Sequence, residues 1–165
     1  MDEDRLQAGV EDLNRTFTLP PYEGFEVAWV ALIKLANLLE GSSEHKRLET
    51  LLDRLSEDVV QSLLAGPAVD ELLSLDPPLE TILADPHERL DAERTAQELG
   101  AARTLRRSDP KEALRNLTYV LKRVRNRRAY GFKTPSGPRD REILAAGVRI
   151  ARDVGAAAAE ALGAK

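Results

Sequence analysis

The chain of 165 residues contains no cysteine, few aromatic side chains and no long apolar run. Without thiols it can form neither a disulfide nor a thiolate metal site, and it cannot use a cysteine nucleophile, so a reducing cytosol is the expected environment. An apolar run long enough to cross a bilayer is missing, and the acidic start "MDEDRLQ" has no signal-peptide core. We therefore expect a soluble, cytoplasmic protein with no membrane partner.

The usual phosphate-binding and catalytic motifs are also missing. Neither G-x-x-x-x-G-K-[ST] nor G-x-G-x-x-G occurs, which excludes the common glycine-rich loops that hold nucleotide phosphates. The acidic pairs Glu11-Asp12 and Glu57-Asp58 have no neighbouring histidine to complete a metal site, and Ser136 has no base beside it. We expect neither a cofactor nor a bound metal.

Apolar residues recur at helical spacing along almost the whole chain. No segment alternates apolar and polar residues with the period of a strand, and there is no internal repeat. The sequence therefore predicts an all-α fold, a helical bundle with short proline-bounded helices in the middle, in a single domain over residues 1–165. The predicted helices cover about residues 4–13, 25–40, 44–64, 67–74, 78–84, 86–105, 110–130 and 139–162.

Several helix boundaries are predicted from local signals. Ser43 is expected to cap a long helix through Leu64. Asp109 and Pro110 are expected to be the cap and the first residue of the helix predicted over residues 110–130. The two prolines of "TLPPYEG" predict an extended turn before the apolar helix "FEVAWVALIKLANLLE". That helix is apolar nearly all round, which is typical of a central buried element.

Positive charge is concentrated in one stretch of the chain. Between Arg103 and Lys133 there are eleven Lys and Arg residues against two acids, a local balance of +9, whereas the rest carries 13 basic and 26 acidic residues, or −13. Segregation of this size gives one region a positive field suited to polyanions. The densest part is "RVRNRRAYGFK", residues 123–133, at the end of the predicted helix 110–130.

Charge alone leaves two explanations of this basic segment open. With Leu117, Leu121 and Val124 facing the core, Arg125 would lie one position past the buried face and be partly held by packing. Its forked guanidinium could then bind a phosphate. Alternatively, the basic residues pair with acids of neighbouring helices, or they solvate a helix end whose dipole favours positive charge.

A resemblance to a known family covers residues 119–154, "YVLKRVRNRRAYGFKTPSGPRDREILAAGVRIARDV". It is similar to the C-terminal part of HEPN domains (higher eukaryotes and prokaryotes nucleotide-binding), in which a helix ends in Arg beside a polar residue. A His, often a Gly-Lys pair, and a closing helix that opens near an Asp follow. The early segment "FEVAWVALIKLAN" also looks like the aromatic helix of that family. The matching positions are Arg125, Asn126, Gly131, Lys133 and Asp140.

The resemblance implies an HEPN-like helical bundle that forms a homodimer and binds RNA. Members of the family act in toxin–antitoxin and defence systems and in RNA processing, and the active ones resemble metal-independent endoribonucleases. By this resemblance the candidate catalytic residues are Arg125, Asn126 and Tyr130. The candidate nucleic-acid-binding residues are Lys122, Arg123, Arg127, Arg128 and Lys133.

The chain departs from the family at one position that matters for catalysis. Tyr130 stands where the ribonucleases have His. A His with a pKa near ~6.5 is largely a free base at pH 7, whereas a Tyr with a pKa near ~10 is ionised in about one molecule in a thousand. The two histidines, His45 and His87, lie in segments that do not match the motif and are expected on the surface. The sequence therefore predicts RNA binding with weakened or no ribonuclease activity.

Two other functions are compatible with the same residues. The chain could be a non-catalytic helical module that binds a partner protein, for instance a cognate antitoxin or another subunit of a defence complex. Alternatively, its basic helix could be neutralised by acidic neighbours and be purely structural. Burial of Arg123, Arg125 and Arg127 in internal ion pairs would favour the structural alternative.

Overall fold

The computed structural model describes residues 2–76, 86–129 and 138–164, with residues 88, 127–129 and 138–140 given by their backbone alone. These ranges hold eight α-helices, one short 3₁₀ helix and no strand, so the predicted all-α fold is confirmed. The helices are α1 Glu3–Arg15, α2 Pro21–Ala36, α3 Glu44–Asp53, α4 Glu57–Leu64, α5 Pro67–Leu73, α6 Pro86–Leu105, α7 Pro110–Ala129 and α8 Pro138–Ala161, with the 3₁₀ helix at Thr16–Thr18.

Side-chain caps fix several helix starts. Ser43 accepts a hydrogen bond from the backbone N–H of Lys46 at 3.2 Å, as predicted, and Asp109 accepts one from Glu112 at 3.2 Å. The helix predicted over residues 25–40 begins and ends four residues earlier, at Pro21 and Ala36. Pro21 opens it, because a proline at the first helical position already has the backbone angle of the helix and has no N–H to leave unpaired.

The long helix predicted over residues 44–64 is wrong, because the chain forms two helices there. α3 ends at Asp53 and α4 begins at Glu57. Ser56 lies between them in an extended conformation and accepts a hydrogen bond from the N–H of Val59 at 3.3 Å. A serine followed by two acids is a strong local start signal, and it prevails over the continuous apolar face.

The remaining predicted helices agree with the structure where it describes them. The segments 67–74, 86–105 and 139–162 correspond to α5, α6 and α8. The short helix predicted over residues 78–84 lies outside the described ranges. No helix of the described part of the chain combines the length and the apolar character needed to span a bilayer.

α2 lies at the centre of the core, as its composition predicts. It packs against α1, α3 and α8, and its side chains Phe25, Leu32 and Leu35 are fully buried. α8 approaches α2 closely at Gly147, where an added Cβ would lie 3.1 Å from the Phe25 ring. A second layer consists of α6 and α7, and α7 also contacts α3, α4 and α8. This layer carries most of the basic stretch.

Candidate nucleic-acid interface

The apolar face of α7 sets the direction of its charged side chains. Leu117, Leu121 and Val124 are buried, as the helical spacing predicts. The polar residues of the same turns therefore lie on the flanks of the helix, where α3 and α6 run beside it. Glu44 faces Lys122 near one end of α3, and Asp53 faces Arg115 at the other, so α3 and α7 are antiparallel.

The first half of the basic stretch binds the ends of other helices. Arg103 donates from Nε and Nη2 to the carbonyl of Leu73, the last residue of α5, at 3.0 and 2.6 Å. Arg106 likewise donates to the carbonyl of Leu64, the last residue of α4, with Nε at 2.9 Å. A helix leaves its last carbonyls unpaired and carries partial negative charge there, so both contacts are stabilising.

The same arrangement occurs at the end of α3. Lys111 donates to the carbonyl of Asp53, the last residue of that helix, at 3.0 Å. Arg115 forms an ion pair with the Asp53 carboxylate and a second one with Glu112 at 2.8 Å. Hydrogen bonds to these two carboxylates raise the pKa of Arg115. These basic side chains are therefore engaged within the protein.

Arg123 joins α7 to α6. It forms a bidentate ion pair with Glu98, in which Nη2 lies 3.0 Å from Oε1. Its Nη1 also donates a hydrogen bond to the buried hydroxyl of Thr95 at 3.1 Å. Asp91 lies 3.8 Å away, and only 16% of the Arg123 side chain is exposed. This geometry matches the structural alternative, because the guanidinium is held by carboxylates of the neighbouring helix.

Arg125 and Asn126 are adjacent in sequence but face different neighbours. The Arg125 Nε lies 4.0 Å from a Glu26 carboxylate oxygen on α2, at the limit of an ion pair, and 39% of the side chain is exposed. That nitrogen is buried and makes no hydrogen bond in the described structure. Asn126 borders an open groove between α3, α6 and α7. The guanidinium of Arg125 is thus neither sealed in the interior nor fully paired.

The groove beside Asn126 has a volume of about 380 Å³ and is open to solvent. Lys122 borders it, and among the described residues its acidic partner is Glu44, at 4.0 Å. Arg94 borders it from α6 and is exposed. Within the described ranges no hydrogen bond or ion pair engages Arg94. Two cationic side chains from different helices therefore face the same cavity.

The groove also has an acidic part. Asp91 and Glu98 border it, and both lie beside Arg123, which borders it as well. These two carboxylates thus have a cationic neighbour of their own, and the N–H groups of Arg94 and Lys122 remain available to a ligand.

An aromatic pair forms the α3 side of this groove. The rings of His45 and Tyr119 stack with centroids 5.1 Å apart and an angle of 23° between their planes. Both are held by Glu49, which accepts a hydrogen bond from the Tyr119 hydroxyl at 2.7 Å and lies 3.2 Å from His45 Nε2. His45 is exposed over 43% of its side chain, so the expected surface position agrees with the structure.

Glu49 is the charged centre of this cluster. Hydrogen bonds from Lys46 and from the Tyr119 hydroxyl lower the pKa of Glu49 to about 2. Conversely, burial and the bond to Glu49 raise the pKa of Tyr119. The carboxylate is therefore ionised at neutral pH and accepts hydrogen bonds from two helices at once, which fixes the orientation of the stacked rings.

Several predicted site residues lie beyond what the structure describes. Tyr130 and Lys133 lie outside the described residues, and so do the side chains of Arg127 and Arg128. The predicted catalytic role of Arg125 together with Tyr130 therefore stays a prediction. Of the predicted residues that are described, Lys122, Arg123 and Asn126 border one groove, and Arg125 does not.

Sequence reasoning missed the residues that complete the groove. His45, Arg94 and Tyr119 come from three helices, and none of them belongs to the basic segment 123–133. The only sequence signal for Tyr119 is its position two residues after the buried Leu117 and two before Leu121, which places it on a flank of α7. Nothing in the sequence indicates that α3 brings His45 to that flank.

Comparisons with protein-family models, with curated proteins and with solved structures found no match to this chain. The resemblance to HEPN domains therefore depends on the motif residues alone and remains a prediction.

Proposed function

We propose that the protein binds RNA through the groove between α3, α6 and α7, as an HEPN-like helical protein. The observation that carries the proposal is the meeting of Lys122, Arg94 and Asn126 at one solvent-open cavity. The two cations can hold phosphates and the amide can bond a base edge or a ribose hydroxyl, which are the contacts that single-stranded RNA offers.

The binding would come from side chains and not from the helix backbone. The C-terminal end of α7 carries partial negative charge, which repels phosphates. Lys122 and Arg125 lie three residues apart on this last part of the helix and are both partly exposed. Two such cations outweigh the partial charge of about half an electron at a helix end.

Cleavage of RNA is the less supported part of the family's activity. A metal-independent ribonuclease needs a base at the ribose 2′-hydroxyl and a cation at the phosphate. Tyr130 is a poor base at neutral pH, since its ordinary pKa is ~10. We therefore propose a weakened or inactive ribonuclease that binds its RNA, with a role in a toxin–antitoxin or defence system and a homodimeric assembly.

The binding test compares matched lysine variants. Fluorescence anisotropy with a single-stranded RNA should give an affinity that falls steeply as salt rises, because phosphate contacts release counterions. Lys122→Ala should weaken binding, whereas Lys34→Ala, which removes the same charge from an exposed ion pair with Asp12, should not. If wild-type protein binds no RNA at low salt, the proposal is wrong.

The cleavage test restores the family residue. Wild-type protein and Tyr130→His are incubated with structured and single-stranded RNA in the presence of a chelator. Cleavage by the variant alone would mean that the scaffold is a ribonuclease without its base. The same RNA left intact by both proteins, but bound by both, would assign the site to binding only.

A second candidate is a module that binds a partner protein. The observation that favours it is the internal use of Arg103, Arg106 and Lys111, which leaves the exposed positive field smaller than the composition indicates. Phe17 is also 69% exposed, with the Arg152 guanidinium 3.9 Å from its ring centre. Co-purification of a protein partner, lost on Phe17→Ser, together with no RNA affinity would favour this candidate.

A further inference from the structure

The stacked pair of His45 and Tyr119 lies at the wall of the proposed RNA groove. Tyr119 covers one side of the imidazole, yet 43% of the His45 side chain remains exposed and borders the cavity. An exposed ring whose inner side is already packed is pre-organised, since little further freedom is lost when a ligand stacks on it.

Contacts with Glu49 hold the His45 ring in place. Glu49 lies within ion-pair distance of the imidazole and accepts a hydrogen bond from the tyrosine, so both rings are tied to one carboxylate. Lys46 donates to the other oxygen of Glu49 at 2.8 Å. This network involves α3 and α7 only. Arg94 and Lys122 take no part in it and border the groove elsewhere.

The cavity is large enough for a small ligand. Its volume of about 380 Å³ falls in the range of ~300–1,000 Å³ that is typical of small-molecule pockets. Proteins that bind single-stranded RNA place unstacked bases on aromatic or histidine side chains and hold the phosphates with cations, whereas a duplex keeps its bases stacked on one another.

We infer that His45 is a stacking platform for one unpaired base of a single-stranded RNA, with Tyr119 behind it and Lys122 and Arg94 at the flanking phosphates. This inference deepens the proposed function and depends on it. It specifies an unpaired base as the ligand, whereas the proposed function would also be met by binding through phosphates alone.

The test separates stacking from charge. Affinities for oligoadenylate of about 10 nucleotides, a site size common for single-strand binders, and for inorganic polyphosphate are measured for wild type, His45→Ala, His45→Phe and His87→Ala. His87, the second histidine of the chain, is an exposed residue of α6 that does not border the groove, and it serves as the control. Stacking on a base is lost in His45→Ala, so its affinity for oligoadenylate should fall at least about fivefold. His45→Phe keeps a ring and should stay within about twofold of wild type.

Polyphosphate carries the charge without the bases, so none of the three variants should change its binding. The inference is overturned if His45→Ala binds oligoadenylate as wild type does, or if it loses as much affinity for polyphosphate as for RNA. A wild-type protein that binds neither RNA nor polyphosphate overturns the proposed function as well. Wild-type binding of RNA together with an unaffected His45→Ala ends only the stacking inference. Far-ultraviolet circular dichroism of each variant checks that the helices are retained.

Discussion

The two halves of the basic stretch are both rich in Lys and Arg, but their surroundings differ. Arg103, Arg106 and Lys111 each donate to the last carbonyl of a short helix, and these three helices, α5, α4 and α3, follow one another in the chain. Lys122 and Arg125, in the second half, have only carboxylates at 4.0 Å among their described ion pairs. Charge density in the sequence therefore does not distinguish a cation that caps a helix from one that is free to bind a ligand.

The difference has a physical origin in the short helices. Helices of seven to ten residues, such as α3, α4 and α5, have more unpaired backbone groups at their ends than internal hydrogen bonds. Basic side chains from the end of α6, the α6–α7 connection and the start of α7 each bind the carbonyl of the last residue of one of these helices and complement its dipole. No described hydrogen bond joins Lys122 or Arg125, in the second half of α7, to a helix end, and both side chains remain partly exposed.

Arg123 is the exception in the second half, and its replacement should have the largest effect on stability. Arg123→Met would leave the Glu98 carboxylate and the buried Thr95 hydroxyl without their partner. Hydrogen bonds to charged groups contribute about 1.5–3 kcal/mol each, so we expect a loss of about 3 kcal/mol in the free energy of unfolding. Urea denaturation measures this loss. A change below about 0.5 kcal/mol, which is usual for a surface residue, would contradict a structural role for Arg123.

Arg106→Met should have the next largest effect. It removes the cap on α4 and an ion pair with Asp70 at 2.6 Å, in a partly buried position. We expect the free energy of unfolding to fall by about 2 kcal/mol, with RNA affinity unchanged because the groove lies elsewhere. The control is Arg107→Met, an exposed neighbour with the same charge. Equal losses for both variants would contradict the assignment of Arg106 as a cap.

The sequence was sufficient for the fold class and for the buried face of α7. Periodicity located Leu117, Leu121 and Val124 in the core, and local chemistry located the caps at Ser43 and Asp109. These features depend on residues close together in the chain. Apolar spacing alone joined α3 to α4, because a period of 3.6 residues continues through a break whenever the residue at the break, here Leu55, is also buried.

The candidate site could not be predicted to the same extent. His45 and Tyr119 are 74 positions apart in chain order, and their stacking depends on how α3 packs against α7. The internal partners of Arg103 and Arg106 are likewise 30 to 42 residues away. Contacts of this kind leave no periodic signal, so the sequence left open which basic residues pair within the protein, whereas the structure divides the basic stretch into two distinct parts.

Glu49→Gln tests the wall of the groove through pH. The pKa of Glu49 is lowered from 4.5 to about 2, so its contribution to stability is complete above pH 4.5 and is lost as the pH falls through about 2. The free energy of unfolding should therefore differ between wild type and Glu49→Gln at pH 6, and the difference should shrink between pH 4.5 and 2. A difference that is constant with pH would mean that the carboxylate is not held by its partners. We expect this effect to be smaller than those of the two arginines, because the cluster is partly exposed.

Arg125→Met should change stability least, and it tests whether the RNA interface extends beyond the groove to this exposed side chain. Its Nε is buried without a hydrogen bond, and methionine keeps the apolar stem while removing that donor. Because an unsatisfied buried donor costs about 1–3 kcal/mol, the variant should be as stable as wild type or slightly more so. If Arg125 contacts a phosphate, the slope of log affinity against log salt concentration should decrease by about 1. Loss of stability with an unchanged slope would instead mean that Arg125 has a structural role, as Arg106 does. The RNA-binding residues would then be limited to the side chains that border the groove.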